Sequence, residues 1–218
     1  MLSLTEENYL KAIYHLSRDG KKGVLTSEIA EAMQTKAASA TDMIKRLASK
    51  GLISYEKYHG VGITKEGKAD ALSVIRKHRL WETFLVDKLG FAWSDVHEVA
   101  EQLEHIQSPL LIEKLDQFLG HPSHDPHGHP IPDKDGRIMT AENCPLSHIE
   151  KGKECRVCSV TDSSSSFLHY LDKVGIHIGS VLLVREKEAF DGSLEVTVDG
   201  TKTTSLSKEA SENILISI

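Results

Sequence analysis

The stretch Leu52-Ile-Ser-Tyr-Glu-Lys-Tyr-His-Gly-Val-Gly-Ile-Thr64 decides how the first third of the chain folds. Two short strand-like runs flank His59-Gly60, whose composition suits a hairpin tip. Three helices are expected before it. Residues 4–18 carry Tyr9, Leu10, Ile13 and Leu16 at helical spacing. Thr5 can cap that helix, and Glu6 and Glu7 favour its positive start. Lys21-Lys22-Gly23 breaks it. A second helix starts near Thr26 or Ser27, with Ile29, Ala30 and Met33 inward. A third runs from about Ala38 to Lys50, with Ala40, Met43, Ile44 and Leu47 at i, i+3, i+4 and i+7. Gly51 follows where a left-handed residue ends a helix. Three helices and a hairpin in this order make the winged helix-turn-helix pattern.

That frame gives its polar residues a common use. Lys36, Ser39, Thr41, Asp42, Lys45 and Arg46 lie on the expected recognition helix, and Lys57, Tyr58 and His59 on the wing. Such groups mostly grip phosphates, which positions a protein on DNA without reading sequence. The small residues of Lys36-Ala-Ala-Ser-Ala-Thr-Asp42 would let the helix enter a major groove, where alanine can meet a thymine methyl. Net charge is -6, yet residues 1–70 hold eleven Lys/Arg against nine Asp/Glu. A modestly basic module is therefore joined to an acidic body, which excludes wholesale nucleic-acid coating but not one DNA-binding face.

Downstream, a longer helix is expected over about Lys68–Lys88, then one over about Ser94–Gln107, then one opened by Ser108-Pro109. On the middle one, His97, Glu101, Glu104 and His105 stand at i, i+4, i+7 and i+8, on one face. Val96, Val99, Leu103 and Ile106 fall on the other side. Two imidazoles and two carboxylates on one stripe suit a divalent metal ion. The preceding helix repeats the arrangement with His78 and Glu82 at i, i+4, and two neighbouring helices can build one metal site. Next comes the irregular Gly120-His-Pro-Ser-His-Asp-Pro-His-Gly-His-Pro-Ile-Pro-Asp133, whose histidines and Asp125 are further candidate ligands.

From about Cys144 the pattern turns to short β-like runs: Cys155–Val160, Ser180–Arg185, Ser193–Val198 and Ile214–Ile218. One helix, about Ser165–Val174, interrupts them. This predicts a small SH3-like barrel. The expected fold is mainly α with small β, in three domains: 1–70 (winged helix-turn-helix), 71–140 (helical, metal-binding and dimerisation) and 141–218 (SH3-like). Three cysteines make a disulfide framework unlikely, and Cys155 and Cys158 lack a second pair for a zinc site. The acidic N-terminus does not read as a signal peptide, and no apolar run approaches the ~20 residues of a membrane span. A cytoplasmic location is expected.

Thr5-Glu-Glu-Asn-Tyr-Leu-Lys-Ala-Ile-Tyr14, Arg76-Lys-His-Arg-Leu80, Val96-His97 with Glu104-His105-Ile106, and Asp125-Pro-His-Gly-His-Pro-Ile-Pro132 carry a resemblance. In these motifs, and along essentially its whole length, the chain resembles the diphtheria-toxin-repressor family of iron- and manganese-dependent transcriptional repressors. The tail from Cys144 resembles the SH3-like domain of iron-transport accessory proteins. The resemblance implies two metal sites per subunit. The regulatory one would use Asn8, Glu101, Glu104 and His105, and the ancillary one His78, Glu82 and His97. Relatives with a Cys-Pro-His-Gly loop imply further ligands at Asp125 and His127, and members with a C-terminal ligand imply Asp162. Glu101 stands where iron sensors carry Cys, which favours Mn(II) over Fe(II), since oxygen donors suit manganese. Asn8 and Lys11 depart from the acidic residues of manganese sensors. The implied partners are double-stranded operator DNA and a second copy of the chain, with metal-uptake genes as targets and no membrane. The competing expectations are a metal-independent winged-helix regulator and a metal-dependent hydrolase, the latter without a HExxH motif.

Overall fold

A computed structural model describes residues 2–56, 60–139 and 142–217. The first helix, α1, spans Leu4–Leu16. Its cap is Ser3 rather than Thr5: Ser3 Oγ accepts from the Glu6 amide, and Glu6 Oε2 accepts from the Ser3 amide. The helix ends before residue 18 because Arg18 and Asp19 take positive φ, 50° and 63°. Helix α2 (Thr26–Ala32) and helix α3 (Ala37–Ser49) follow, and Gly51 leaves α3 at φ +72°.

Strands β1 (Ile53–Glu56) and β2 (Gly60–Ile63) form the antiparallel wing, with Ile53 opposite Ile63 and Tyr55 opposite Val61. Val24 bridges to Val61 on the free edge. Gly60 is required there: its φ is +84°, and a Cβ would sit 2.6 Å from the Val24 carbonyl oxygen. The wing-tip residues Lys57, Tyr58 and His59 lie outside the described residues.

Helix α4 spans Lys65–Leu89, α5 His97–Leu103 and α6 Pro109–Phe118. Helix α5 is shorter than the expected 94–107. At its start Asp95 N bonds Ala92 O in a turn, and at its end Ile106 N bonds Leu103 O. Glu104 and His105 leave the helix, and both side chains enter short buried ion pairs instead.

The C-terminal elements are β3 (Cys144–Pro145), a 3-10 turn (Leu146–His148), β4 (Glu154–Val160), α7 (Ser165–Val174), β5 (Val181–Lys187), β6 (Leu194–Val198), β7 (Lys202–Leu206), α8 (Lys208–Glu212) and β8 (Ile214–Ser217). The six strands form one antiparallel sheet in the order β3-β8-β4-β5-β6-β7. The three cysteines are unbridged. Cys155 is buried, and burial pushes its thiol up to about 11, so it packs rather than reacts.

The chain divides into two compact units. One comprises Met1–His78, Gln102–Pro109 and Pro132–Ile138. Its core gathers Leu10, Ile13, Ile29, Leu47, Val61 and Leu72. The other comprises Arg79–Glu101, Leu110–Ile131 and Met139–Ile218. There the sheet buries Leu182, Leu194 and Ile216 together with Leu168 and Leu171 of α7. Among the described residues, no helix is long and apolar enough to cross a membrane.

Candidate metal centre and nucleic-acid interface

Two groups of buried charges stand out, one in each unit. In the first unit Glu104 is fully buried. Its Oε1 accepts from Lys11 Nζ at 2.6 Å, and its Oε2 lies 2.6 Å from His78 Nδ1. Burial alone would raise the Glu104 pKa, but the His78 hydrogen bond and the Lys11 charge outweigh it and hold the carboxyl below its usual range. His105 Nδ1 lies 2.6 Å from Glu7 Oε2, while its Nε2 lies 3.6 Å from Glu104 Oε1. Glu7 therefore accepts a hydrogen bond from His105 Nδ1 and turns Nε2 toward Glu104, the way a carboxylate orients a metal-ligating histidine. Glu7 Oε1 also accepts from Gln107 Nε2 at 2.6 Å.

On α1, the Asn8 Oδ1 atom is buried with no hydrogen-bond partner among the described residues. A buried carbonyl oxygen without a donor costs about 1–3 kcal/mol. An oxygen atom of this kind is what a hard divalent cation takes as a ligand. The donor set Asn8, Glu104 and His105 thus fits such an ion.

In the second unit Glu82, 2% exposed, stands between two imidazoles. Its Oε1 is 3.4 Å from His97 Nδ1, and its Oε2 is 3.5 Å from His127 Nδ1. His97 Nε2 lies 3.5 Å from Glu101 Oε1. Hydrogen bonding to Glu101 first, then to Glu82, pushes His97 up to about 9 against its desolvation. His127 Nε2 donates to the Trp93 carbonyl at 2.8 Å. Burial alone would lower the His127 pKa, but its hydrogen bond to Glu82 and the Glu82 and Asp125 charges outweigh it and raise it.

Asp125 organises the proline-rich loop. Its Oδ1 accepts the amides of His127 and His129 at 2.8 and 3.0 Å. Its Oδ2 faces Arg79 Nε at 3.5 Å and His129 Nδ1 at 3.2 Å. One ligand atom from each of Asp125, His127 and His129 falls within 4.8 Å of the others. The loop is pinned to β4, since the Val160 amide donates to the His127 carbonyl and His129 Nε2 lies 2.8 Å from the Val160 carbonyl.

The remaining ligand candidates are placed as follows. His78 and Glu82 lie one turn apart on α4, and His78 gives its Nδ1 to Glu104. Glu101 pairs with His97. Asp162 accepts the Ser164 amide at the turn into α7. Sequence reasoning passed over Glu7 and Trp93 as site residues. Glu7 carried a signal: it stands three residues before Leu10 and seven before Tyr14, in phase with buried positions.

On α3, Lys36 is the N-cap, and Ser39, Asp42 and Lys45 are exposed. Lys45 lies 3.7 Å from Asp42. Thr41 Oγ1 donates to the Ala37 carbonyl. Arg46 is anchored on α1: its Nε is 2.8 Å from Glu6 Oε1, where Lys50 Nζ also sits at 2.6 Å. The outward residues of α3 leave an exposed polar face beside a hairpin, which defines a winged-helix protein with two carboxylate–imidazole clusters.

Comparison with known proteins gives the family. Residues 1–61 match the N-terminal DNA-binding domain of the iron-dependent repressors. Residues 64–133 match the metal-binding and dimerisation domain of the same group, and residues 144–218 match the FeoA domain. A solved manganese-dependent transcriptional repressor in complex with manganese superposes with TM-score 0.87 at 35% identity, covering 97% of this chain and 98% of that one. ScaR with bound Cd2+ superposes with TM-score 0.82 at 30% identity, covering 97% and 98%. The iron-dependent repressor IdeR of Mycobacterium leprae (strain TN) is 35% identical over 128 residues, 59% of this chain and 55% of the relative. The chain thus spans about half the length of the curated relatives it matches. The chain belongs to the iron-dependent repressor family.

Proposed function

We propose that this protein is a metal-activated transcriptional repressor that binds operator DNA as a homodimer and controls genes of metal-ion uptake. The observation that carries the reading is the buried group in the first unit. There α1 and the segment after α5 meet through Lys11–Glu104 and Glu7–His105, beside the unpartnered Asn8 carbonyl.

Asn8, Glu104 and His105 would hold the regulatory ion, with Glu101 as the further carboxylate that the resemblance implies. His78, Glu82 and His97 are the ancillary set, to which His127 and Asp125 add donors and for which Asp162 is the C-terminal candidate. A bound ion would supply positive charge shared among carboxylate, carbonyl and imidazole donors, a set that favours Mn(II), with Fe(II) second. Glu7 holds the His105 ring so that Nε2 stays available. Drawing Asn8 toward Glu104 and His105 fixes α1, and with it the α2–α3 pair packed on α1, in one arrangement. The ion then acts as an allosteric ligand, binding the DNA-competent state more tightly than the other. Leu110, Leu111 and Phe118 of α6 are exposed large apolar side chains and form the proposed homodimer face. A dimer sets the half-site spacing. On α3, Lys36, Ser39, Thr41, Asp42 and Lys45 face the groove, and Lys57, Tyr58 and His59 serve as the wing.

Glu104→Gln and His105→Ala test the reading on DNA from upstream of the protein's own gene. Both should lose metal-stimulated binding while keeping the weak metal-free level. Unchanged binding by both variants, with or without a chelator, would leave a metal-independent winged-helix regulator.

A further inference from the structure

Lys11 places a cation where the regulatory ion would bind. Its Nζ lies 2.6 Å from Glu104 Oε1, the same oxygen that faces His105 Nε2 at 3.6 Å. The Glu104 side chain is 0% exposed and the Lys11 side chain 17%. Asn8, with its unpartnered Oδ1, stands one turn earlier on α1. An ammonium at that distance and a divalent ion bonded at about 2.0–2.2 Å cannot share one oxygen lone-pair region. Two cations this close would also repel strongly in a desolvated site.

We propose that Lys11 is a tethered competitor for the regulatory metal ion: its ammonium occupies Glu104 until a divalent cation displaces it, and so sets the metal concentration at which the protein responds. This rests on the reading of Asn8, Glu104 and His105 as the regulatory ligands.

Three consequences follow from the geometry. Without metal, Glu104 is not an uncompensated buried charge, because the Lys11 ammonium pairs with it and His78 hydrogen-bonds to it. Without metal, α1 is still joined to the segment after α5, by Lys11–Glu104 together with the Glu7 contacts to His105 and Gln107, instead of by a multidentate ion. And metal binding must include release of Lys11, whose partly exposed stem gives the ammonium a route to water. The competitor is selective by charge rather than by size. A monovalent ion gains too little from Glu104 to displace an ammonium already in place, whereas a divalent ion coordinated by Asn8 and His105 as well gains enough.

The test is Mn(II) binding by the full-length, metal-free protein, followed by loss of the EPR signal of free Mn(II). Lys11→Gln, Lys11→Met and Lys11→Arg are compared with the parent, each with and without Glu104→Gln to isolate Glu104-dependent binding. Far-UV circular dichroism checks folding, and Lys11→Met keeps the apolar stem if Lys11→Gln fails to fold. Removing the charge should tighten the Glu104-dependent site roughly tenfold or more, the scale of one charge-assisted hydrogen bond that no longer has to be broken. Lys11→Arg keeps a cation beside Glu104 and should not show the tightening of the charge-removing variants. Equal or weaker Glu104-dependent binding in both charge-removing variants overturns the inference alone. So does tightening by Lys11→Arg as large as that by Lys11→Gln. No Glu104-dependent binding in any protein overturns the regulatory-site reading as well.

Discussion

At the scale of single residues, four carboxylates carry the account. Glu6, Glu7, Glu82 and Glu104 are each 5% exposed or less, and each stands against cationic or imidazole partners. Buried acids survive only on those terms. Glu6 shows it most simply. Burial would raise its pKa, but the Lys50 hydrogen bond, the Ser3 amide and Arg46 together lower it from 4.5 to about 2. The folded value lies below the unfolded one, so the stabilisation is complete above about pH 4.5 and is lost as pH falls toward 2. In urea unfolding, Glu6→Gln should therefore be less stable than the parent at neutral pH, and the two should converge near pH 2. Equal midpoints at neutral pH would show that the Arg46–Glu6–Lys50 cluster contributes nothing. Glu6 and Glu7 read from sequence as ordinary helix-start acids, because composition does not distinguish an exposed first-turn glutamate from a buried one. Their phase with Leu10, Ile13 and Tyr14 does.

At the scale of elements, legibility followed apolar periodicity. The helices α1, α3, α4 and α7 each bury a repeating stripe, α6 carries an apolar repeat of which only Leu115 is buried, and all five are readable within a few residues. The wing was readable from β-forming runs around a glycine. Strand β7 was not, since Lys202–Leu206 lies at a sheet edge with only Leu206 buried, so it has no alternation to detect. Five-residue α8 is too short for a period. Helix α5 was over-extended for the opposite reason: the polar stripe continues in phase to His105, but the last two side chains gain more from ion pairs outside the helix. The candidate site was legible as residue types and not as pairings, because the loop and the residues after α5 are organised by contacts distant in sequence. The loop makes a sharp test. Gly128 has φ +80°, and a Cβ there would lie 2.0 Å from the Cys158 carbonyl oxygen. Gly120 has φ +75° with nothing within 4 Å. Gly120→Ala should cost only the left-handed penalty of about 1–2 kcal/mol. Gly128→Ala should cost clearly more in thermal unfolding and should weaken metal binding at Glu82 and His127. Equal costs would mean that the loop is not held against β4 as described.

At the scale of the whole molecule, the parts have complementary chemistry: an exposed α3 face in a basic module, buried carboxylate–imidazole groups in each unit, and exposed leucines and a phenylalanine on α6. A sensor needs all three, because the ion must change how the DNA-binding elements are held and a second copy must present the second half-site. An acidic chain of net charge -6 also gains from neutralising carboxylates before it meets DNA. The most direct measurement is anaerobic titration of chelator-treated protein with Mn(II), then Fe(II), in the presence of labelled DNA from upstream of its own gene at fixed salt. Tight binding is expected only once an ion is added, with the lower midpoint for Mn(II). Binding of equal strength with the chelator still present would contradict metal activation.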